Sequence, residues 1–303
     1  MIDPYDQATF AQGLVDHGLI IPTGVKGAYG RGPVFEDILG RFDDLVMRLA
    51  KNDGASEMTF PPIIARTLVE RLGYLDNFPQ LIGSIHSFSG PELQAREMAD
   101  LAREGKRWEG MLDVTEAMLT PAACYPIYPL FSGLLPDSGR LLTTKGWCYR
   151  HEPSDEPTRL QAFRMREFIR MGAPEEVESW RDAWLQRGLK LLTSLNLPAS
   201  TDTANDPFFG RAGKMMATSQ REQRLKFEIV VPVISKERPT AICSFNWHQE
   251  HFTSTFGITR SGGRTAHTAC LGFGLERVTL ALIKAHGFQP DRWPAAVREQ
   301  LWP

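Results

Sequence analysis

The chain has 303 residues, of which 42% are hydrophobic and 23% charged, and its formal net charge is −2. No apolar run approaches the length of a membrane span, and the N-terminus MIDPYDQATFAQ lacks the basic start and apolar core of a secretory signal, so we expect a cytoplasmic protein that does not enter a membrane. The small net charge gives no general electrostatic footprint for nucleic acid, although a local basic patch could lie within that average.

The first part of the chain predicts mostly helices. Apolar residues at helical spacing predict a helix over residues 34–52, which ends near Gly54. Residues 58–60 predict a strand that stops at a double proline, and residues 63–74 predict a second helix. Further helices are predicted over residues 92–104 and 174–195.

Strands cluster later in the chain, at the spacing of hairpins. Apolar, β-branched and aromatic runs predict strands over residues 140–149, 160–171, 226–234, 239–247 and 264–271, and a closing helix over residues 274–286. Because these strands do not alternate with helices, we expect an α+β fold in which helices flank an antiparallel sheet. The chain shows no internal repeat, low-complexity tract or long linker, so we expect residues 1–303 to form a single domain.

The chain has four widely spaced cysteines and no Cys-x-x-Cys pair: Cys124, Cys148, Cys243 and Cys270. In a reducing compartment such residues are free thiols or metal ligands, and buried thiols are common. Cys148 and Cys243 lie within apolar strand runs, so we interpret both as core residues.

The stretch GWCYRHEPSDEPTRLQAFRMREFIRMG, residues 146–172, predicts two strands that flank a loop. Arg150 and Glu152 stand two apart, which on a strand places them on one side, and Arg164, Glu167 and Phe168 lie on the return strand. An arginine suits a phosphate oxygen, a carboxylate can accept from an exocyclic amine, and a phenylalanine ring can stack on a purine. A surface hairpin whose arginines pair with nearby carboxylates is the simpler alternative.

A second stretch, CLGFGLERVTLAL, places glycines where a strand meets a helix. Gly272 and Gly274 let the backbone approach a ligand closely, and Arg277 lies one turn into the helix, where it can meet a second phosphate.

Three motifs, in this order along the chain, resemble the signature motifs of class II aminoacyl-tRNA synthetases. Thr59-Phe60-Pro61-Pro62 resembles the first, dimer-forming motif. Arg150-His151-Glu152 and the segment from Arg164 to Phe168 resemble the second, and Gly272 to Arg277 resembles the third. The resemblance implies a class II fold, a homodimer and binding of ATP with Mg²⁺.

The resemblance also implies roles for single residues around ATP. Arg150 is expected at the α-phosphate and Arg277 at the γ-phosphate. Gly274 is expected where the backbone comes close to ATP. Adenine is expected between Glu152 and Phe168, and Arg164 is expected to assist at the triphosphate tail. Glu228 and Ser244 are candidates for the magnesium region, where Ala241 replaces a glutamate that the family's pattern leads one to expect.

Within class II, the chain is most similar to the zinc-dependent seryl-tRNA synthetases of methanogens, over roughly residues 55–290. KFEIVVPV followed by ICSFN resembles two strands of that family, and Cys124 stands where other seryl enzymes have a glutamate that holds the substrate amine. The resemblance implies that Cys124, Glu167 and Cys270 bind Zn²⁺ and leave one position open for the amine. His248 and His251 could be ligands at helical spacing, but such a pair is more often structural.

Only about 55 residues precede the first motif, with one short helix predicted among them, so we expect no tRNA-binding arm. A zinc-type seryl core without that arm resembles the amino acid:[carrier protein] ligases. This implies activation of a small amino acid with ATP, glycine first and alanine second, and transfer to the phosphopantetheine thiol of a carrier protein. The alternatives are an enzyme that acts on tRNA and a catalytically silent regulatory paralogue.

Overall fold

The computed structural model describes residues 7–303. The α-helices in this part of the chain are α1 (Gln7–Asp16), α2 (Pro33–Ala50), α3 (Arg66–Arg71), α4 (Tyr74–Asn77), α5 (Glu92–Arg103), α6 (Pro174–Ser194), α7 (Gly210–Glu222), α8 (His251–Phe256), α9 (Leu275–His286) and α10 (Ala295–Leu301). The strands are β1 (Ile20–Pro22), β2 (Tyr29–Arg31), β3 (Ser56–Met58), β4 (Ile63–Ala65), β5 (Ser84–Ser87), β6 (Asp113–Leu119), β7 (Gly133–Leu134), β8 (Arg140–Tyr149), β9 (Ala162–Gly172), β10 (Ser200–Thr203), β11 (Lys226–Val231), β12 (Thr240–Gln249), β13 (Ile258–Thr259) and β14 (His267–Gly274).

A seven-stranded sheet forms the centre of the molecule, in the order β10-β11-β12-β14-β9-β8-β3. All neighbouring strands in it are antiparallel except the edge strand β3, which runs parallel to β8. The α+β prediction of an antiparallel sheet flanked by helices is therefore confirmed.

One face of this sheet carries the main hydrophobic core. Helices α2, α6 and α9 pack there, and Phe273 of β14 contacts both Trp184 of α6 and Phe245 of β12. Because side chains alternate along a strand, the residues between these apolar ones point to the opposite face. That opposite face holds the cavity described below.

The region after the double proline differs from the prediction. Residues 63–74 were expected to form one helix, but Ile63–Ala65 form β4, which pairs with β6, and only Arg66–Arg71 are helical before the next short helix. β-branched isoleucines favour a strand when a partner is available, and β6 supplies that partner. Strands β4, β6 and β5 form a separate three-stranded sheet.

The N-terminal extension is more structured than the sequence predicted. Instead of one helix before residue 55, it contains α1, the hairpin β1–β2 and the helix α2. Residues 1–6 of the predicted extension and domain lie outside the described residues. Among residues 7–303, no helix is long and apolar enough to cross a bilayer.

Candidate active site

A cavity of 380 Å³ lies on the sheet face opposite to α6. Strand residues that alternate with the core residues form its floor: Met165, Glu167, Ser244, Asn246, Cys270 and Gly272. Gly272 lets the Met165 side chain lie close to the backbone, because a Cβ at position 272 would collide with that side chain.

Three potential metal ligands meet at the cavity floor. One ligand atom each from Cys124, Glu167 and Cys270 lies within 4.8 Å of the others, and all three residues are buried. Glu167 lies on β9 and Cys270 on the adjacent strand β14, while Cys124 belongs to the segment after β6. The backbone N–H groups of Ala123 and Cys124 donate to the Glu167 carboxylate at 3.0 and 3.1 Å, which fixes its orientation.

The three acidic groups of this cluster shift one another's pKa values. A hydrogen bond between the two thiols lowers the pKa of Cys270 and raises the pKa of Cys124, as expected for a pair that shares a proton. Burial raises the pKa of Glu167 to about 7, and the neighbouring Cys270 adds to the shift. Two sulfurs and one carboxylate are a ligand set that could hold zinc.

Two polar side chains contact the sulfur of Cys270. Asn246 Nδ2 and His248 Nε2 each lie 3.6 Å from Sγ, and His248 Nδ1 lies 3.3 Å from Thr268 Oγ1. The prediction of a helical histidine pair is wrong, because His248 lies on β12 whereas His251 begins α8. Asn246 was missed, although its position two residues after Ser244 on one strand could have indicated it.

Arg150 lines the cavity but does not lie on a strand. Strand β8 ends at Tyr149, so the prediction that Arg150 and Glu152 share a strand face is wrong. Arg150 Nε donates to the carbonyl of Pro121 at 3.2 Å. The Glu152 carboxylate accepts from Arg159 at 2.9 Å.

Arg164 and Phe168 lie on the wrong face of the sheet for the predicted contacts with ATP. Arg164 binds Glu36 of α2 through both terminal nitrogens at 2.7 Å and donates Nε–H to Glu276 at 2.9 Å. Phe168 has no exposed surface and stacks on Trp184 with 5.2 Å between ring centroids. The prediction that these two residues bind ATP is therefore wrong.

Phe163 faces the cavity side and was missed. The Arg150 guanidinium lies 5.5 Å from its ring centroid. The sequence contains the spacing Arg-x-x-x-Phe twice, first from Arg159 to Phe163 and then from Arg164 to Phe168. The first copy spans the end of the loop and the second residue of β9, and only its phenylalanine lies beside Arg150.

Arg277 joins the third motif to the loop before β9. It is the third residue of α9, as predicted, and it donates to the carbonyls of Thr158 at 2.9 Å and Ala241 at 3.1 Å. Burial lowers the pKa of Arg277, and repulsion from Arg150 lowers it further. Two neighbouring guanidinium groups favour the binding of an anion. Gly274, just before α9, lies close to the carbonyl oxygen of Ile242, since a Cβ at position 274 would be 3.3 Å from that oxygen.

The candidates for the magnesium region lie side by side. Glu228 of β11 is paired in register with Ser244 of β12, and Glu228 also contacts Lys226 at 3.2 Å. Asp206, which the sequence did not indicate, lines the cavity nearby and contacts Lys226 at 2.6 Å. Burial alone would raise the pKa of Asp206, but Lys226 and a hydrogen bond from Gln220 hold it at about 2, so the carboxylate is ionised.

Comparisons with known proteins give relatives that cover nearly the whole chain. Amino acid–[acyl-carrier-protein] ligases 2 and 1 of Bradyrhizobium diazoefficiens are 41% and 40% identical over 280 residues, which is 92% of this chain and 84% and 86% of those proteins. A type-2 serine–tRNA ligase of Methanococcus aeolicus is 28% identical over 299 residues, and the match covers 91% of this chain and 56% of that protein. No protein-family model matches the chain.

Solved structures show the same fold at low identity. M. kandleri SerRS, in its complex with A. aeolicus tRNASec, matches with a TM-score of 0.81 and 23% identity over 96% of this chain and 60% of that one. Seryl-tRNA synthetase from Pyrococcus horikoshii, complexed with ATP, matches with a TM-score of 0.69 and 13% identity over 96% of this chain and 62% of that one. The predicted class II synthetase fold is thereby confirmed.

Proposed function

Because the chain belongs to the amino acid–[acyl-carrier-protein] ligases, we propose that it activates a small amino acid with ATP and transfers it to a carrier protein. It is therefore a ligase. The observation that carries the proposal is the shared cavity, where the cluster of Cys124, Glu167 and Cys270 lies with Arg150. Such a site can hold the amine and the carboxylate of one amino acid at the same time.

The first step we propose is formation of an aminoacyl adenylate. The substrate carboxylate attacks the α-phosphorus of ATP, and the bond to pyrophosphate breaks. Arg150 stabilises the charge that develops at the α-phosphate, and Arg277 holds the distal phosphates. Phe163 stacks on adenine, and Glu152 accepts from its amino group.

Mg²⁺ is required in this proposal to screen the triphosphate. Glu228 of β11 and Ser244 of β12 are paired in register on adjacent strands, and we propose them as ligands of Mg²⁺. The position of Ala241 supplies no second carboxylate, so water or phosphate oxygens complete the coordination.

We propose that the cysteine cluster holds Zn²⁺. Zinc held there would supply an open coordination position for the lone pair of the substrate amine, so the substrate ammonium would have to lose a proton. Glu167 is held in place by two backbone N–H groups, and Cys270 by Asn246 and His248, so the cluster is oriented before substrate arrives.

We propose glycine as the preferred substrate and alanine as the second. Beside Cys270, the ring of His248 packs on Phe252 with 4.7 Å between centroids, which limits the room for bulk beyond Cα. One methylene changes the binding free energy by only about 1 to 3 kcal/mol, so the site should discriminate incompletely between amino acids that differ by one methylene.

The second step is attack of the phosphopantetheine thiol on the acyl carbon. The carbon–oxygen bond to AMP breaks, and the product is an aminoacyl thioester on the carrier protein. The part of the cavity lined by Phe78, Phe208 and Met216 offers apolar contacts for a pantetheine chain.

We further propose that residues 1–303 act as one catalytic domain within a homodimer and do not use tRNA. The similarity to serine–tRNA ligases favours tRNA as the alternative acceptor. A silent paralogue is disfavoured because both guanidinium groups and all three candidate metal ligands are present, and a silent copy would have no chemical need for them.

The test is exchange of pyrophosphate into ATP in the presence of each standard amino acid. We expect exchange with glycine, then alanine, and none with large amino acids. Arg150→Ala and Arg277→Ala should abolish the exchange without loss of metal, because both act on phosphate. Best exchange with serine or a large amino acid, or exchange at the wild-type rate by either variant, would contradict the proposal.

A further inference from the structure

The N-terminal hairpin reaches the loop that connects β8 to β9. Its tip, residues 23–28, is closed by the Thr23 hydroxyl, which donates to the carbonyl of Ala28 at 2.6 Å. Just beyond the tip, Arg31 Nη2 donates to the carbonyl of Ala162 at 2.9 Å. The hairpin thus contacts the segment that carries Arg150 and leads to Phe163.

Gln161 is the centre of this contact. It is only 5% exposed. Its backbone N–H donates to the carbonyl of Gly27 at 2.8 Å, and its side-chain Nε2 donates to the carbonyl of Lys26 at 2.6 Å. Buried side chains with satisfied polar atoms hold their neighbours in one geometry.

The other polar atoms of Gln161 hold the opposite arm of the loop. Its carbonyl accepts from the backbone N–H of Arg150 at 2.9 Å. Its Oε1 accepts from the Tyr149 hydroxyl at 3.1 Å and lies 3.2 Å from Nδ1 of His151. One side chain therefore connects the hairpin tip to both neighbours of Arg150.

Gly27 gives independent support for a specific fit between the tip and the loop. Its φ is +71°, a left-handed conformation that favours glycine. A Cβ at this position would also lie 3.2 Å from the carbonyl oxygen of Arg159 and 3.3 Å from the backbone nitrogen of Gln161. The tip can approach the loop this closely only because residue 27 lacks a side chain.

We propose that Gln161 and the hairpin tip are positioning elements of the ATP site. They hold Arg150 and Phe163 at their places before ATP binds, so that less conformational freedom is lost on binding. This inference rests on the proposed function, because it assigns the ATP site to Arg150 and Phe163.

The test compares variants in pyrophosphate exchange with glycine, at varied ATP and at varied glycine. Gln161→Leu removes all three side-chain contacts, and we expect the KM for ATP to rise on the order of tenfold, as expected when buried partners lose a hydrogen bond. Gln161→Glu keeps the acceptor and loses the donor, so its rise should be smaller. Gly27→Ala acts from the hairpin side and should reproduce the effect of Gln161→Leu.

Lys26→Ala is the matched control at the same tip. It removes only the exposed contact of the Lys26 ammonium with Asp155 and keeps the Lys26 carbonyl, so the KM for ATP should stay within about twofold of the wild type. The KM for glycine should be unchanged in all four variants. The amount of metal bound per chain should also be unchanged.

Unchanged KM for ATP in Gln161→Leu and Gly27→Ala would overturn the inference. A parallel loss of metal, glycine affinity and melting temperature would also overturn it, since it would show a purely structural role. If Gln161→Leu does not fold, Gly27→Ala carries the same test. A wild-type protein that shows no exchange with any amino acid would instead overturn the proposed function.

Discussion

Strand β9 supplies side chains to both faces of the central sheet, and each face has a different task. Phe163 and Glu167 point to the cavity side of the sheet, whereas Arg164 and Phe168 face the helices. Phe163 and Phe168 therefore differ in role although both are phenylalanines. They are five positions apart, and an odd separation along a strand places two side chains on opposite faces of the sheet.

This alternation predicts different outcomes for the two phenylalanines. Phe163→Ala should raise the KM for ATP by about tenfold or more, because stacking of a base on an aromatic ring contributes about 1 to 3 kcal/mol. Phe168→Ala should instead lower stability by about 3 to 5 kcal/mol, since it leaves a cavity beside Trp184. Steady-state kinetics and denaturant unfolding separate the two effects. The reverse assignment of effects would restore Phe168 as the adenine contact.

The cysteines predict a second difference at the residue scale. The wild-type protein should contain about one zinc per chain after dialysis, since thiolate ligands bind zinc tightly at neutral pH. Cys124→Ala and Cys270→Ala should lose the metal. Cys243→Ala is the control, because this thiol is equally buried but packs in the hydrophobic core. Elemental analysis of dialysed protein is the measurement, and a metal-free wild type with full activity would refute the zinc assignment.

At the scale of elements, buried ion pairs fix helix α2 to the sheet. Arg166 of β9 binds Asp43 of α2 at 2.7 and 3.0 Å, and it also binds Glu57 at 2.6 Å. Lys145 contacts the same Asp43 carboxylate from a more exposed position. Arg164, which the sequence assigned to the triphosphate tail, contacts Glu36 of the same helix and thus also serves packing.

Asp43→Ala should destabilise the protein by about 3 to 5 kcal/mol, because it leaves the buried Arg166 without its main partner. Lys145→Ala should cost no more than about 1 kcal/mol, because this lysine is 45% exposed. Denaturant unfolding of both variants measures the difference. Equal effects would show that burial of the pair does not govern its contribution.

The sequence predicted the elements that have a strong period and failed where context decides. Strand β8 and helix α6 were predicted within about one residue of their bounds, because their patterns are long. Residues 63–65 were wrongly assigned to a helix because the partner strand β6, which was not predicted, determines their conformation, whereas Arg66–Arg71 are helical as expected. The chain contains two Arg-x-x-x-Phe segments. Which of the two phenylalanines lies on the cavity side depends on the residue at which the loop ends and β9 begins, and the sequence does not specify that residue.

The metal cluster illustrates a different limit. Cys124, Glu167 and Cys270 are far apart in the chain, so no local pattern predicts that they meet. The resemblance to a known family named them, and the sheet register of β9 and β14 explains how two of them become neighbours. Asn246 entered only with the structure, and so did the contact of His248 with Cys270, since both depend on the position of β12 beside β14.

At the scale of the whole molecule, the surface around the three-stranded sheet is incompletely covered. Helix α5 has no buried residue, and Leu93 in it is 78% exposed. Ile63 and Val114, on β4 and β6, are also exposed. Helices of this length are marginal in water without packing, so a second copy of the chain is the covering we expect.

The protein should therefore sediment as a dimer at micromolar concentration. Val114→Asp should shift it toward the monomer, because a charge would be buried without a partner. Met215→Asp is the control, since Met215 is 73% exposed on α7, which is not part of this sheet. Analytical ultracentrifugation distinguishes the two states, and a monomeric wild type would contradict the dimer.

The most direct test of the account is the intact mass of a phosphopantetheinylated carrier protein after incubation with this protein, ATP and glycine, with tRNA present in the same reaction. We predict that the carrier protein gains the mass of one glycyl group, that hydroxylamine removes it as expected for a thioester, and that Arg150→Ala abolishes the gain. An unchanged carrier protein together with aminoacylated tRNA would contradict the account.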